Sequence, residues 1–189
     1  DEAAIRLAPL LLFTLPGLPF VYYGQEIGQR NGPKLTDEHK RLPMQWSAET
    51  AAGFTQSTPW ESPNADYEVR NVDAMQADPD SLWHLYRRLV TLRKENSALL
   101  HGDFSTAEVT SKTASNLMAF VRRSESNQAV VVVNFSSTSA LEARVVLEAT
   151  KPADWRQVWP EDEGKVVEGS SQLQVGDVPP RSGVIFIAP

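Results

Sequence analysis

Valine and isoleucine are distributed very unevenly along this chain. Residues 1–98 hold 6 of them and residues 99–189 hold 16. Branching at Cβ stiffens the side chain and suits it to a pleated surface, so the second half is predicted to be built of strands. Short apolar segments separated by turn residues follow Gly102: Phe104–Thr110, Leu117–Arg122, Ala129–Phe135, Ala143–Leu147, Arg156–Trp159 and Val184–Ile187, with weaker strands near 165–167 and 172–175. No helical segment intervenes, and six to eight closely spaced strands of this kind predict an antiparallel sandwich. Alternating segments such as Leu117–Val121 need one face covered, and the helix expected at 80–96 offers an apolar stripe to cover some of it.

The first half reads differently. Residues 2–15 form a mostly apolar helical segment that contains Pro9 and is stopped by Pro16-Gly17. Phe20-Val21-Tyr22-Tyr23, between Pro19 and Gly24, is predicted as a strand buried on both faces, as in a parallel sheet. From Gln25 to about Pro79 the chain is rich in turn formers and lacks periodicity, yet contains Met44, Trp46, Phe54 and Trp60. Embedded aromatics point to a packed, functional loop rather than a disordered one. Leu82, Leu85, Tyr86, Leu89 and Leu92 then recur at three- and four-residue steps and predict a helix over about 80–96.

Several function classes fall away on composition. The net charge of −6, shared equally by the two halves, supplies no basic field for nucleic acid. The absence of cysteine removes disulfides, thiol nucleophiles and Cys-ligated zinc. Leu7–Gln25 is uncharged, but Pro9, Pro16, Gly17 and Pro19 interrupt it, so no membrane span is expected. The chain begins with Asp1 and shows no signal peptide, which leaves the compartment undetermined. Gly164-Lys165 is followed by Val166, so no phosphate-binding loop forms there, and no Gly-x-Ser-x-Gly turn occurs. His39, His84 and His101 lack metal-ligand spacing and read as surface or half-buried residues. Neither a metal nor another cofactor is expected. Asn134-Phe135-Ser136 fits a glycosylation sequon but ends a predicted strand.

The most informative tract is Gly17 to Gly28, a helix end, a turn, an apolar run and then a polar pair, Gln25 and Glu26, between glycines. In a parallel α/β barrel, the loop after a strand's C-terminal end handles ligands. Gln and Glu suit sugar hydroxyls, and Tyr23 and Trp46 offer aromatic faces for the apolar side of a sugar ring. Glu26 fits equally well as a buried strut paired with an arginine.

Three stretches stand out in order: Gly17-x-Pro19-x-x-x-x-Gly24-x-Glu26; Arg41-Leu-Pro43-Met44-Gln45-Trp46 followed by Ala52-Gly53-Phe54; and Asn71-Val72-Asp73 with Gln76, Asp80-Ser81-Leu82 and Leu92-Arg93-Lys94. Together they resemble the α-amylase superfamily of glycoside hydrolases, in particular its oligo-α-glucosidase and trehalose-synthase-like branch. The resemblance implies an α+β chain: residues 1–98 as the last units of a (β/α)8 barrel, including strand eight and helix eight, and residues 99–189 as an antiparallel β-sandwich. It implies that the catalytic carboxylates precede Asp1, so no residue of this chain is assigned a catalytic role. Asp66 and Asp73 match no catalytic motif and read as solvated loop charges. Arg41, Gln25 and Glu26 are the implied contacts to α-linked oligosaccharides, with Arg41 alternatively a plain surface residue of the run Asp37–Arg41. Met44, Gln45 and Trp46 read as packing and loop-holding residues. Ser47 stands where oligo-glucosidases carry Asp and trehalose-synthase-like members often carry Ser, which leaves hydrolysis and transfer both open. An incomplete barrel would expose the edge at 20–23 and favour self-association. A non-catalytic carbohydrate-binding or scaffolding module is the alternative, with Trp155 and Trp159 on one strand face as its platform.

Overall fold

The computed structural model describes residues 2–113, 116–148, 153–160, 166–169 and 171–189. Packing divides the chain into two units, Asp1–Leu18 with Val90–Pro189, and Pro19–Leu89.

In the first unit, β1 (Asp103–Ala107), β3 (Leu117–Arg123), β4 (Gln128–Asn134), β9 (Ser182–Ala188), β6 (Ala153–Trp159) and β7 (Val166–Gly169) form one sheet in the order β1-β3-β4-β9-β6-β7. A second sheet orders β2 (Val109–Thr110), β5 (Ala140–Val146) and β8 (Gln172–Val178) as β2-β5-β8. Every described pairing is antiparallel, and β4 sits centrally with Val131 opposite Phe120 on one side and Ile185 on the other. Most strands begin and end close to where the apolar segments do, but the segment predicted over Phe104–Thr110 divides at Glu108 into β1 and β2, which join different sheets. The weaker pair near 165–167 and 172–175 are strands as well.

Between the sheets, Val130, Val132, Val145, Leu173, Val175, Phe186 and Trp155 make one core. Burying this apolar surface is the dominant favourable term of the unit. β4 reads Ala-Val-Val-Val-Val because both its faces are covered, and all four valines are buried. The second face is covered by α1 (Glu2–Thr14) packed on β9 and by α4 (Ser97–His101) packed on β3 and β4. Gly183 permits that approach, because a Cβ there would stand 2.9 Å from the Val132 carbonyl and 3.2 Å from the Leu10 side chain.

α1 keeps Pro9 in its interior, and Leu7, Leu10 and Phe13 form its buried stripe. Its last turn has no basic residue of its own. Two arginines distant in sequence supply the missing donors. Arg93 donates to the carbonyls of Phe13 (2.8 Å), Leu15 (3.1 Å) and Gly17 (2.6 Å), and Arg122 to those of Thr14 (2.8 Å) and Gly102 (2.8 Å). Carbonyls at a helix C-terminus carry the negative end of its dipole, so guanidinium groups satisfy both the hydrogen bonds and the field. Burial pulls both arginines below their usual pKa, and for Arg122 the charge of Arg93 adds to this while Asp103 opposes it.

The second unit is largely irregular. α2 (Val72–Ala77) is capped by Asn71, whose Oδ1 accepts the Ala74 amide at 2.8 Å. α3 (Leu82–Glu95), whose residues up to Leu89 belong to this unit, buries Leu82, Leu85 and Leu89, as its periodicity predicts, and Ser81 caps it by accepting the His84 amide. The predicted strand at 20–23 does not form. Phe20 is 84% exposed and Val21, Tyr22 and Tyr23 are exposed too. A strand exists through hydrogen bonds to neighbours, and no described strand lies in 19–89 to pair with it. No described helix is long and apolar enough to cross a membrane.

Candidate functional site

Gly24 (φ 84°) and Gly28 (φ 66°) adopt left-handed backbone and bracket a 3-10 turn, Gln25–Ile27. Glycine reaches this conformation at no steric cost, which explains why the polar pair lies between two of them. Gln25 is fixed twice: its amide donates to the Tyr22 carbonyl (3.1 Å) and its Oε1 accepts the Tyr22 amide (3.0 Å). Ile27 is buried beneath the turn.

Within this unit Tyr23, Leu42–Trp46 and Val72–Asp73, a part of each of the three sequence stretches, are bonded in succession. Tyr23 Oη donates to the Leu42 carbonyl (3.1 Å), and Gln29 Nε2 to those of Leu42 (3.2 Å) and Pro43 (2.9 Å). Gln45, 0% exposed, donates to the Arg70 carbonyl and accepts the Asn64 amide. The amides of Val72 and Asp73 donate to the carbonyls of Gln45 (3.0 Å) and Trp46 (3.1 Å). Met44 is buried, whereas Trp46 is half exposed and holds the loop through its main chain, its amide donating to the Ala52 carbonyl (2.9 Å).

An open depression of about 440 Å³ is lined by Tyr22, Gln25, Asn31, Asp37, Lys40 and Arg41. It brings Gln25 and Arg41 together. Arg41 Nη2 pairs with Asp37 Oδ2 at 3.1 Å, and Lys40 Nζ with Asp37 Oδ1 at 3.3 Å. The Lys40 hydrogen bond and charge, then the Arg41 charge, hold the Asp37 carboxyl below the usual carboxylate range. Both amphoteric and charged donors therefore face one opening, a set suited to hydroxyl groups. Only Asp37 among the lining residues is acidic.

Glu26 stands apart from this group. Its Oε2 is enclosed and has no hydrogen-bond partner among the described residues, so the arginine of the strut reading is not found. Its charge acts on Tyr86, whose phenol is pushed up first by burial and then by Glu26. Asp66 is no solvated loop charge: it is half-buried and pairs with Arg70 at 3.1 Å and Arg30 at 4.0 Å. The i, i+4 spacing of Asp66 and Arg70 was the available signal. His39 is buried, with Nε2 at 3.9 Å from Glu61 Oε2. Asn31 and Lys40 were missed as lining residues; the turn Asn31-Gly32 and the run before Arg41 were their only sequence marks.

In the first unit, Asn134 is buried and its Nδ2 donates to the carbonyls of Thr138, Val178 and Pro179, which takes the sequon off the surface. Trp155 is 0% exposed, and the register shifts between Gln157 and Trp159. The tryptophan platform of the binding-module alternative is therefore not presented.

Comparison with known proteins accords with this arrangement. Residues 1–102 match the family described as alpha amylase, catalytic domain, and residues 109–188 match alpha amylase, C-terminal all-beta domain. A glucan 1,6-alpha-glucosidase of Streptococcus pneumoniae is 30% identical over 72% of this chain and 31% of its own length. A trehalose synthase of Thermus thermophilus is 30% identical over 93% of this chain and 19% of its own. The solved trehalulose synthase MutB of Pseudomonas mesoacidophila superposes with a TM-score of 0.76 at 22% identity, over 99% of this chain and 38% of that one. The chain thus spans between 19% and 38% of these relatives' length. With the catalytic-domain match running over more than half its residues, this chain belongs to the α-amylase family, carrying the end of the catalytic domain and the C-terminal all-β domain.

Proposed function

We propose that this chain is part of a glycosidase that hydrolyses or transfers α-glucosidic bonds, with residues 1–98 as the barrel end and 99–189 as the C-terminal domain. Relatives named as glucan 1,6-alpha-glucosidase, oligo-1,6-glucosidase and trehalose-6-phosphate hydrolase support the substrate class. The observation that carries the site is the depression gathering Gln25 and Arg41 with Asn31 and Tyr22. Arg41 and Gln25 contact an α-linked oligosaccharide there, while Glu26 acts from behind the turn. Retaining cleavage needs two carboxyl groups about 5–5.5 Å apart across the scissile bond. A depression with one carboxylate, already paired with two cations, binds sugar and does not cut it.

The purified chain is therefore expected to release no glucose from maltose or isomaltose. Titration with isomaltose, followed by NMR of the Gln25 and Arg41 side chains, should show saturable shifts that Arg41→Ala weakens severalfold. Glucose release by the chain itself, or unchanged binding in Arg41→Ala, would contradict the assignment. The exposed run Phe20–Tyr23 supports self-association, to be read from sedimentation as a concentration-dependent rise in mass.

A further inference from the structure

We infer that Asn31 is a site of spontaneous deamidation, held in check by the hydrogen bond from the Gly32 amide to the His39 carbonyl, and that its product places a second carboxylate in the depression beside Asp37. This holds whatever the depression binds.

Asn31-Gly32 is the only Asn-Gly pair in the sequence. Packing demands the glycine: a Cβ at Gly32 would lie 2.1 Å from Nδ1 and 2.9 Å from Cγ of the His39 ring, which is buried. The same missing side chain lets the Gly32 nitrogen approach Cγ of Asn31 unhindered. The side chains of Asn64, Asn71, Asn96, Asn127 and Asn134 are tied by hydrogen bonds. That of Asn31 makes none with a described residue and lines the depression.

The Gly32 nitrogen is the nucleophile of the reaction. Once a base in solvent has taken its proton, its electron pair forms a bond to Asn31 Cγ. The bond from Cγ to Nδ2 breaks, and Nδ2 takes up a proton and leaves as ammonia. Water then opens the five-membered imide at either carbonyl, giving aspartate or isoaspartate with no change of oxidation state. In the fold the nucleophile is engaged, since the Gly32 amide donates to the His39 carbonyl at 2.6 Å. On the other side of Asn31, the Arg30 amide donates to Asn64 Oδ1 (2.9 Å) and the Arg30 carbonyl accepts from Asn64 Nδ2 (3.1 Å). Ring closure rotates the main chain between these two anchors, so it waits on a local opening. The product is a carboxylate that shares an opening with Lys40 and Arg41, the two cations paired with Asp37.

The test incubates the 189-residue chain at mildly alkaline pH, in native buffer and in urea, and follows Asn31 by peptide mapping with mass spectrometry. Deamidation should be at least about tenfold slower in the native chain than in urea. Hydrogen exchange should give the Gly32 amide a protection factor that matches this ratio, because one opening event admits both reactions. Equal rates in the two conditions overturn the inference. So does a native rate that fails to follow Gly32 protection across a series of urea concentrations below the unfolding transition. Asn31→Asp supplies the product directly and should raise the carboxyl midpoint of Asp37 in NMR, a like charge disfavouring its ionisation. The aspartate form of the aged chain, separated by ion exchange, should show the same rise without a mutation. An unmoved Asp37 midpoint in both overturns the placing of the second carboxylate.

Discussion

The sandwich unit and the segment Pro19–Leu89 answer the same requirement, that buried polar backbone be satisfied, in opposite ways. In the sandwich, strand pairs satisfy one another, and where α1 ends without a partner two arginines reach its carbonyls. In 19–89, side chains do this work: Gln29, Gln45, Asn64, Asn71 and Arg70 bond to main-chain groups one by one. Ladder bonding leaves side chains free to build a core. Side-chain bonding leaves aromatic residues at the surface, where Tyr22, Trp46, Phe54 and Trp60 are found. The lesson is that irregular backbone, once pinned, is a way of presenting groups.

The sharpest way to break this contrast is in the core. Trp155→Ala should cost about 3–5 kcal/mol in urea denaturation, whereas Trp46→Ala should change stability by less than about 0.5 kcal/mol. Equal losses would mean that the two regions do not differ in how they are held. Next in size is Arg122→Met, which strips the Thr14 and Gly102 carbonyls of their donor and should cost about 2–4 kcal/mol. Lysine at the same position should rescue little, because it lacks the planar fork that reaches both carbonyls. Full stability in Arg122→Lys would show that charge alone suffices. Asn71→Ala should cost about 1 kcal/mol and speed amide exchange around 72–77 while β4 keeps its protection.

Smallest is the pH response of the depression. Asp37 titrates below the usual carboxylate range, so its ion pairs hold above that depressed value and are lost as pH falls through it. Carboxyl NMR should show its midpoint rising in both Lys40→Ala and Arg41→Ala, more in the former because Lys40 supplies the larger share. The reverse order would place Arg41 closer to Asp37 in solution than in the fold described here.

How much of this was legible beforehand depended on whether a residue's partners are near it in sequence. The alternation of apolar residues after Gly102 placed nearly every strand, because one strand's pattern already encodes which face is covered. The stripe of α3 was equally plain. Phe20–Tyr23 has the composition of a buried strand but lies exposed, since composition cannot supply the neighbouring strand. Arg93 and Arg122 looked like ordinary charges on a helix and a strand; their carbonyl partners at and just beyond the end of α1 lie 76 to 80 and 108 residues away. Gln25 follows from its place after the apolar run and Arg41 from motif resemblance, and only folding puts them at one opening.

By itself, then, the order of residues determined the periodicities, the turns and the family membership, all of which depend on short-range spacing or on motifs read in succession. Tertiary structure alone decided which aromatics remain exposed, which acid is left unpartnered and which arginines close the helix. Those outcomes turn on distances between groups remote in the chain, and such distances come into being only when the backbone has been satisfied throughout.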